Sequence, residues 1–520
     1  MALSVKAIGR HWLSREGLTS GTGLIALVAA IKLLAHLIVA GNFGYFRDEL
    51  YYIDSGRHVQ TGYVDFVPFI AWLAGILRIV GDNLIVLHVI SALAGTALVV
   101  VTGLMAREMG GDRIAQGLAA LCTAVMVTFL ASGSLFTMDV FDELWWGLAA
   151  YVFILLVSRQ NPRLWLLFGL IAGIGIFTKL TMLFFGFGLV VGILLTPRRT
   201  DFRTRWPWLG GGIAFAFLVP WIIWESINGW PTAEFWRHYG GFESGSPLDF
   251  FISQLFTMNL FNLPLVIAGF IFYFRRQQGR PYRALGWLYV VLYVIFTLTR
   301  AKSYFLSPAY PILFAGGAIV LAQAFARRSV RRYIGVAYGV LLFASGVFFG
   351  LGVMPALNAQ TYSRYYGWVG ALSGANQTVT GKQVYPQILG DRLGWDTMTA
   401  TVARVYGSLP PDQRAQACIL TINYGEAAAL NFFGPKYRLP PAISGHNNYF
   451  LWGPGACSGK VLITVGYDQA DLLKSFASVQ QVATIMCQDC QPEENNLPVY
   501  LATQPSASPV NAWKTVKHFN

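Results

Sequence analysis

Acidic residues at two places in the sequence could do chemistry, because each place borders a long apolar stretch. Asp48 and Glu49 follow the first of these stretches, and Asp139 stands at the beginning of another. A carboxylate in such a place can accept a proton from a hydroxyl group as a general base. A capping role stays open for all three, because a carboxylate also stabilises the first turn of a helix. If a helix begins at Asp48, Tyr52 shares its face and Glu49 points elsewhere.

Cations near other apolar stretches could bind a phosphate group. Lys179 interrupts an apolar stretch, so it lies either in hydrocarbon or, at much lower cost, at the tip of a helical hairpin. Arg300 and Lys302 follow a further stretch, where anchoring to the membrane surface is the alternative role. These cations and the acids together predict transfer of a sugar from a lipid-linked phosphate to a hydroxyl group.

This reaction class fits the residue types because its two partners need different help. The departing phosphate is a weak base that needs charge stabilisation, whereas the attacking hydroxyl needs a base. Attack opposite the phosphate would invert the anomeric centre. The sequence has neither a Gly-rich phosphate-binding motif nor an Asp-x-Asp pair for a nucleotide sugar, so we expect no nucleotide and no obligatory cofactor.

The composition indicates where such a site lies. The 520 residues are 55% hydrophobic and only 12% charged, which excludes an ordinary soluble enzyme. The formal charge of +13 comes from short basic clusters between apolar stretches, so nucleic acid is not an expected partner. We expect a mainly α-helical, monomeric protein whose surroundings are the lipid bilayer.

Eleven apolar stretches predict membrane-spanning helices, of which the fifth and sixth are short. They are Gly21–Ala40, Leu84–Met105, Ile114–Ala131, Val140–Val157, Leu164–Phe177, Leu180–Thr196, Trp206–Trp224, Leu255–Phe274, Tyr282–Leu298, Tyr304–Phe325 and Tyr333–Met354. Lys and Arg concentrate on one side of this arrangement, which predicts a cytoplasmic N-terminus in a bacterial inner membrane. Eleven crossings divide the chain into a transmembrane domain, residues 1–354, and a periplasmic domain, residues 355–520.

The tail after residue 354 reads as a soluble α/β domain. Strands are predicted at Gln416–Asn423, Lys460–Gly466 and Val482–Met486, and helices at Met398–Leu409, Glu426–Phe433 and Gln469–Val479. Four cysteines lie in this tail: Cys418, Cys457, Cys487 and Cys490. A periplasmic location permits disulfides, and three pairings are possible, one of which makes a local staple of the last two. A redox-active pair and a zinc site are the alternatives.

The motifs around the candidate acids and cations resemble those of bacterial members of glycosyltransferase family 39. They are Arg47-Asp48-Glu49-Leu50-Tyr51-Tyr52, Asp65-Phe66-Val67-Pro68, Thr137-Met138-Asp139 and Gly173-Ile174-Gly175-Ile176-Phe177-Thr178-Lys179. That family contains protein O-mannosyltransferases and lipid A aminoarabinose transferases, and it has the C-type glycosyltransferase membrane fold. The resemblance implies an external site that uses a polyprenyl-phosphate sugar and modifies an envelope glycolipid, a polysaccharide or a protein.

The resemblance also implies roles for particular residues. Asp48 is the expected base, with Glu49 and Asp139 as further catalytic acids. The donor phosphate is expected near Lys179, Arg300, Lys302, Tyr304 and Arg57. The tail is similar to that of many bacterial members, and the acceptor is expected to contact Tyr52, Asp65, Glu426, His446 and Asn447. Turn and capping roles explain the tail residues equally well.

Two further hypotheses remain open. His238 lies in an outer loop, and aminoarabinose transferases place a metal-binding His in a comparable loop, so a divalent metal ion is an alternative to a surface histidine. A transporter or flippase of lipid-linked sugars is the rival function, and it would need charged residues in the middle of spans. Lys32 and His36 in the first span are the candidates for that role.

Overall fold

The computed structural model describes residues 20–239, 246–327, 329–358, 360–362, 364–365, 387–487, 489–506 and 513–520. The chain forms two compact units. The first, the helical unit, comprises Met1–Ala40, Ile85–Ile222 and Gly241–Ala356. The second, the sheet unit, comprises Gly41–Leu84, Ile223–Gly240 and Leu357–Asn520. The sheet unit therefore contains two segments from the first half of the chain besides the tail.

As far as residue 353, the regular elements of the described residues are helices. In chain order they are α1 Gly21–Val39, α2 Arg47–Ser55, α3 Phe69–Leu77, α4 Leu84–Glu108, α5 Arg113–Ala124, α6 Val127–Ser132, α7 Met138–Arg159, α8 Leu164–Thr178, α9 Met182–Leu194, α10 Arg205–Asn228, α11 Pro231–His238, α12 Pro247–Thr257, α13 Leu263–Arg275, α14 Arg283–Leu298, α15 Tyr310–Ala326 and α16 Ser329–Val353. A 3-10 helix, Ser303–Ala309, leads into α15.

The helical unit is built from apolar helices, because a chain in lipid must satisfy its backbone hydrogen bonds internally. Seven helices among the described residues are long and apolar enough to cross a membrane, or up to nine if each of two bent pairs makes one span. Each of the eleven predicted stretches is helical over most of its length. However, one is divided into α5 and α6, and α8 has only 15 residues. The count of eleven crossings therefore stays a prediction.

The tail forms a five-stranded sheet with helices. The remaining helices are α17 Gln387–Gly390, α18 Trp395–Ser408, α19 Pro411–Arg414, α20 Tyr424–Phe433, α21 Asn448–Trp452 and α22 Gln469–Leu472. The strands are β1 Ala417–Thr421, β2 Ala442–Ser444, β3 Val461–Val465, β4 Phe476–Ile485 and β5 Leu497–Pro505. Their order is β2-β1-β3-β5-β4, with β1 parallel to β2 and β3, and β5 antiparallel to β3 and β4. The predicted fold class, mainly α with a C-terminal α/β domain, is confirmed.

One predicted element of the tail is wrong. The helix expected at Gln469–Val479 ends at Leu472, and Phe476–Ile485 forms an edge strand instead. Leu472, Leu473 and Phe476 have helical spacing, but the strand gains its backbone partners from β5, which lies far along the chain. The strands β2 and β5 were also missing from the prediction, because β2 is very short and β5 contains two prolines.

The four tail cysteines form two disulfides. Cys418 on β1 is bonded to Cys457, and the Cys487 and Cys490 sulfur atoms are also joined. Of the three pairings that the sequence left open, this is the one in which Cys487 and Cys490 form a local disulfide. Cys122 is buried in α5 as a free cysteine.

Candidate active site

Helix α2 places the first candidate acids at its N-terminus in the sheet unit. The Glu49 carboxylate accepts a hydrogen bond from the Phe46 backbone N–H at 2.8 Å, and Glu49 is completely buried. Arg47 donates its own N–H to the Asp391 carbonyl at 3.0 Å. Glu49 therefore caps α2, which is the alternative role that the sequence left open. This geometry gives no support to its predicted catalytic role.

Asp48 differs from its neighbour because its side chain is 31% exposed. The Tyr424 hydroxyl donates a hydrogen bond to Asp48 Oδ1 at 2.8 Å, and the Arg47 guanidinium lies at 4.0 Å from the same oxygen. A donor and a cation beside a carboxylate favour its ionised form. Asp48 is thus accessible from outside the fold and is held by a hydrogen-bond donor and a neighbouring cation.

A second carboxylate, Asp65, lies in a polar cluster of the same unit. Its Oδ1 accepts hydrogen bonds from the Tyr51 hydroxyl and the Asn448 amide, each at 3.1 Å, and its Oδ2 accepts one from Asn447 at 3.1 Å. Burial raises the pKa of Asp65 to about 7, and the charge of Asp48 acts in the same direction. Asp65 can therefore hold or release a proton close to neutral pH.

Aromatic rings line this cluster. The Tyr51 ring stacks on Tyr424 with 4.5 Å between ring centroids, while Tyr52 packs against Phe66 at 5.1 Å and is buried. Tyr51 thus contacts Asp65. Sequence reasoning missed Tyr51, Tyr424 and Asn448 as site residues, although Tyr51 belongs to the quoted Arg47–Tyr52 motif and Asn448 follows the predicted Asn447 directly.

Two other residues predicted to bind the acceptor have structural roles. Glu426 is buried and accepts hydrogen bonds from the backbone N–H groups of Ile422 and Asn423, which caps α20. Burial, with the neighbouring Glu494, raises the pKa of Glu426 well above its ordinary value. The turn and capping alternative therefore describes Glu426.

His446 supports the beginning of α20. Its Nδ1 accepts the Tyr424 backbone N–H at 3.4 Å, which leaves Nε2–H to donate to the Asn520 carbonyl at 3.1 Å. Burial and the adjacent His518 lower the pKa of His446 to about 3, so the ring is neutral. Both ring nitrogens are engaged within the protein, and His446 positions Tyr424.

Arg57 has acidic partners. Its guanidinium lies 3.5 Å from Asp54 and 3.4 Å from Asp82, and it donates to the Asn431 carbonyl at 3.2 Å. These contacts hold α2 in the sheet unit. They give no support to the predicted role of Arg57 at a donor phosphate.

The helical unit contains the second group of candidates. Lys179 lies in the short link between α8 and α9, which is the hairpin arrangement rather than the middle of a helix. Its ammonium group lies 2.5 Å from Asp139, in the first turn of α7. The same ammonium lies 5.3 Å and 5.0 Å from the ring centroids of Tyr304 and Phe305. Three of the predicted site residues, Asp139, Lys179 and Tyr304, are therefore neighbours.

The other predicted cations of this unit follow α14. Arg300 is exposed and has a positive φ of 53°, and Lys302 is half-buried immediately before the 3-10 helix that carries Tyr304. The Gln254 amide donates to the Ser303 carbonyl at 2.9 Å and thereby ties that helix to α12. Tyr304 is thus in contact with Lys179, while Arg300 faces solvent or lipid.

His238 does not fit a metal site. It is the last residue of α11 and is exposed. Within the part of the chain that the structure describes, no group of three or more His, Cys, Asp or Glu side chains could hold a metal ion. The metal hypothesis for His238 gains nothing from these residues.

A cavity of about 680 Å³ opens on the sheet of the tail. Its floor includes Leu420, Ile443, Leu462 and Phe476, and Trp513 lies on its wall. None of the five predicted acceptor residues, all of them described, is among the residues that line it. The cavity is therefore separate from the Asp48 and Asp65 cluster.

Comparison with known proteins gives matches over most of the chain. A family model described as dolichyl-phosphate-mannose-protein mannosyltransferase matches residues 65–224. The crystal structure of ArnT from Cupriavidus metallidurans in the apo state has a TM-score of 0.62 at 17% identity, covering 92% of this chain and 98% of that one. The same protein bound to undecaprenyl phosphate gives 0.56 with the same identity and coverage.

A more distant structural match is the mycobacterial arabinofuranosyltransferase AftD, with a TM-score of 0.51 at 15% identity, covering 92% of this chain and 41% of that one. No curated protein sequence matches the chain. The structural matches show that the chain has the fold of the ArnT structures. Together with the family model over residues 65–224, they support the resemblance to glycosyltransferase family 39.

Proposed function

We propose that this chain is an inverting glycosyltransferase that moves a sugar from a polyprenyl-phosphate donor to a hydroxyl acceptor. The observation that carries the proposal is that the Asp48 carboxylate, at the N-terminus of α2, is partly exposed and accepts a hydrogen bond from Tyr424. The undecaprenyl phosphate in the ArnT structure and the dolichyl-phosphate-mannose description of the matching family support a lipid-linked donor.

The chemical step needs one base and one stabilised leaving group. The acceptor oxygen attacks the anomeric carbon, the bond from that carbon to the phosphate oxygen breaks, and the bonding electrons leave with the phosphate. The acceptor proton passes to the Asp48 carboxylate. Because attack and departure take place on opposite sides of the carbon, the anomeric centre is inverted.

The donor phosphate binds at Lys179 in this proposal. Asp139 orients the ammonium group at 2.5 Å, and the rings of Tyr304 and Phe305 lie beside it. A cation already held in position binds the negative charge that the phosphate carries in the intact donor. Lys302 and Arg300, which precede Tyr304, supply further positive charge.

The acceptor binds at the Asp65 cluster in this proposal. Asp65 and Asn447 offer a carboxylate and an amide, which are the groups that recognise hydroxyls. Tyr51 and Tyr424 add aromatic faces. Tyr52, Glu426 and His446 maintain this arrangement from within the unit.

The reaction takes place at the periplasmic face of the bacterial inner membrane. The bias of Lys and Arg towards one side of the apolar stretches supports a cytoplasmic N-terminus. A disulfide between Cys418 and Cys457 supports an oxidising compartment for the tail. A multi-pass protein in this orientation presents Asp48 to donors that are linked to lipid on the outer side.

The test uses the purified full chain in lipid nanodiscs with undecaprenyl phosphate that carries a labelled hexose or pentose. Envelope lipids, polysaccharide and protein serve as acceptors in separate reactions. We expect label in one acceptor class, and we expect Asp48→Asn to lower the rate by about 100-fold or more while donor binding persists. Asp412→Asn changes an exposed acid of the same unit and should have no effect.

Two results would contradict the proposal. Full activity of Asp48→Asn would remove this residue as the base. Movement of labelled donor across vesicle membranes without transfer to any acceptor would favour the rival transporter.

A further inference from the structure

Tyr424 is fixed in place by contacts on several sides. Its hydroxyl donates to Asp48 at 2.8 Å, and its backbone N–H donates to His446 at 3.4 Å. Its ring stacks on Tyr51 at 4.5 Å, and the Arg47 guanidinium lies over the ring at 5.4 Å. These contacts hold the phenol hydroxyl in one position relative to α2.

Close approach of the two helices makes the contact possible. The residue after Tyr424 is Gly425, and a side chain there would meet Arg47 Cγ at 2.5 Å. The cap formed by Asn423 and Glu426 sets the first turn of α20, in which Tyr424 lies. The sequence around Tyr424 therefore brings its hydroxyl to Asp48 although 376 positions separate the two residues.

We propose that Tyr424, contributed by the C-terminal tail, is a positioning residue that orients the Asp48 carboxylate for general-base catalysis. This inference rests on the proposed function. The Tyr424 hydroxyl donates to one carboxylate oxygen and keeps its own proton throughout. The acceptor proton goes to Asp48, and the tyrosine acts on the reaction only through that carboxylate.

A hydrogen bond to the ionised form of a carboxylate stabilises that form. Loss of the hydrogen bond from Tyr424 makes the Asp48 carboxylate easier to protonate. As pH falls, the variant therefore loses its base at a higher pH than the natural protein does. Burial raises the pKa of the Tyr424 phenol well above its ordinary value, and the Asp48 charge acts in the same direction. The phenol therefore keeps its proton, and remains a donor, at neutral and mildly acidic pH.

The test is the pH profile of kcat/KM for Tyr424→Phe. We expect its acid limb to move up by about one pH unit, since hydrogen bonds to charged groups have about that effect on a pKa. At a pH on that limb, kcat should fall about 10-fold with little change in KM for the donor. An unchanged acid limb would overturn the inference.

The matched control is Tyr449→Phe. Tyr449 donates to Asp54 at 2.5 Å, so this variant removes a buried bond from a tyrosine to an aspartate on the same helix without touching Asp48. We expect it to lower thermal stability but to keep the natural acid limb. An equal shift in both variants would mean that loosening of α2 is the cause, and the inference would be wrong.

A second variant keeps the test decisive if Tyr424→Phe does not fold. Replacing Tyr424 by a fluorinated tyrosine keeps the ring and its contacts while it makes the hydroxyl a stronger donor. The acid limb should then move to lower pH, and an unmoved limb would overturn the inference.

Asp48→Asn separates the proposed function from the role of Tyr424, because an active Asp48→Asn enzyme contradicts the proposed function itself. If Asp48→Asn is inactive but the acid limb of the Tyr424 variants does not move, only the role of Tyr424 is contradicted.

Discussion

At the scale of single residues, the two carboxylates of the sheet unit differ because their surroundings differ. Asp48 is partly exposed and receives a tyrosine hydroxyl, whereas burial raises the pKa of Asp65 to about 7. The charge of Asp48 contributes to that rise. Two acids whose environments separate their proton affinities can take different roles in one reaction.

The raised pKa of Asp65 makes stability depend on pH. In the folded chain Asp65 binds its proton up to about pH 7, but in the unfolded chain only up to about pH 4. Between these values the folded state holds more protons, so stability falls as pH rises and stays lower above pH 7. Asp65 thus destabilises the fold at neutral and alkaline pH.

We therefore expect Asp65→Asn to be more stable than the natural protein at pH 8, by about 1 kcal/mol, and to lose that advantage at pH 4. The Asn447 amide can rotate to donate or accept, which keeps the cluster bonded. Thermal unfolding in detergent at the two pH values measures the difference. Equal shifts at both would mean that Asp65 is ionised throughout.

At the scale of elements, the break between α8 and α9 is the feature that presents Lys179. Lys179 is extended, with φ of −160° and ψ of 134°, so its ammonium group leaves the apolar helices and reaches Asp139. A continuous helix would place the same charge in the middle of a span, at a cost of about 3 kcal/mol or more. The hairpin avoids this cost and makes the cation available to an anion.

Lys179→Ala should raise KM for the donor about 10-fold and lower kcat less, because a charge-assisted contact to phosphate is lost on binding. Lys179→Arg keeps the charge and is the matched control. Steady-state kinetics at varied donor concentration provide the measurement. A fall in kcat with unchanged KM would contradict a role in binding the phosphate.

At the scale of the whole molecule, the tail is closed by its own disulfides and also contacts α2. The bond between Cys418 and Cys457 closes a loop with a sequence separation of 39, whereas Cys487 and Cys490 are separated by only 3. A longer closed loop restricts the unfolded chain more. The first pair should therefore contribute more stability to the sheet unit than the second.

Replacing Cys418 and Cys457 by serine should lower the stability of the sheet unit by about 3 kcal/mol, and the matched change at Cys487 and Cys490 should lower it less. Thermal unfolding followed by limited proteolysis measures both. In intact cells, the first pair should resist alkylation until a reductant is added. Free thiols at both positions without reductant would contradict a periplasmic tail.

The sequence by itself determined the class of fold, the apolar helices and the positions of the acids and cations. These features follow from local composition and short motifs, since a run of apolar residues must be helical in lipid and a hairpin tip is the less costly of the two placements open to Lys179. The same local information placed β1, β3, α18 and α20. It found only the second half of β4, through the strand predicted at Val482–Met486, and it assigned a helix to the first half, whose partner β5 lies far along the chain.

Only the tertiary structure decided what each polar residue contacts. Glu49 and Glu426 are as acidic as Asp48 in the sequence, but one caps α2 and the other caps α20. Tyr424 reaches Asp48 across most of the chain, and Asn448 reaches Asp65. Such contacts depend on the packing of distant helices, and no local pattern encodes them. That is why the sequence could single out Asp48 as the proposed base but could not predict the residues that contact it.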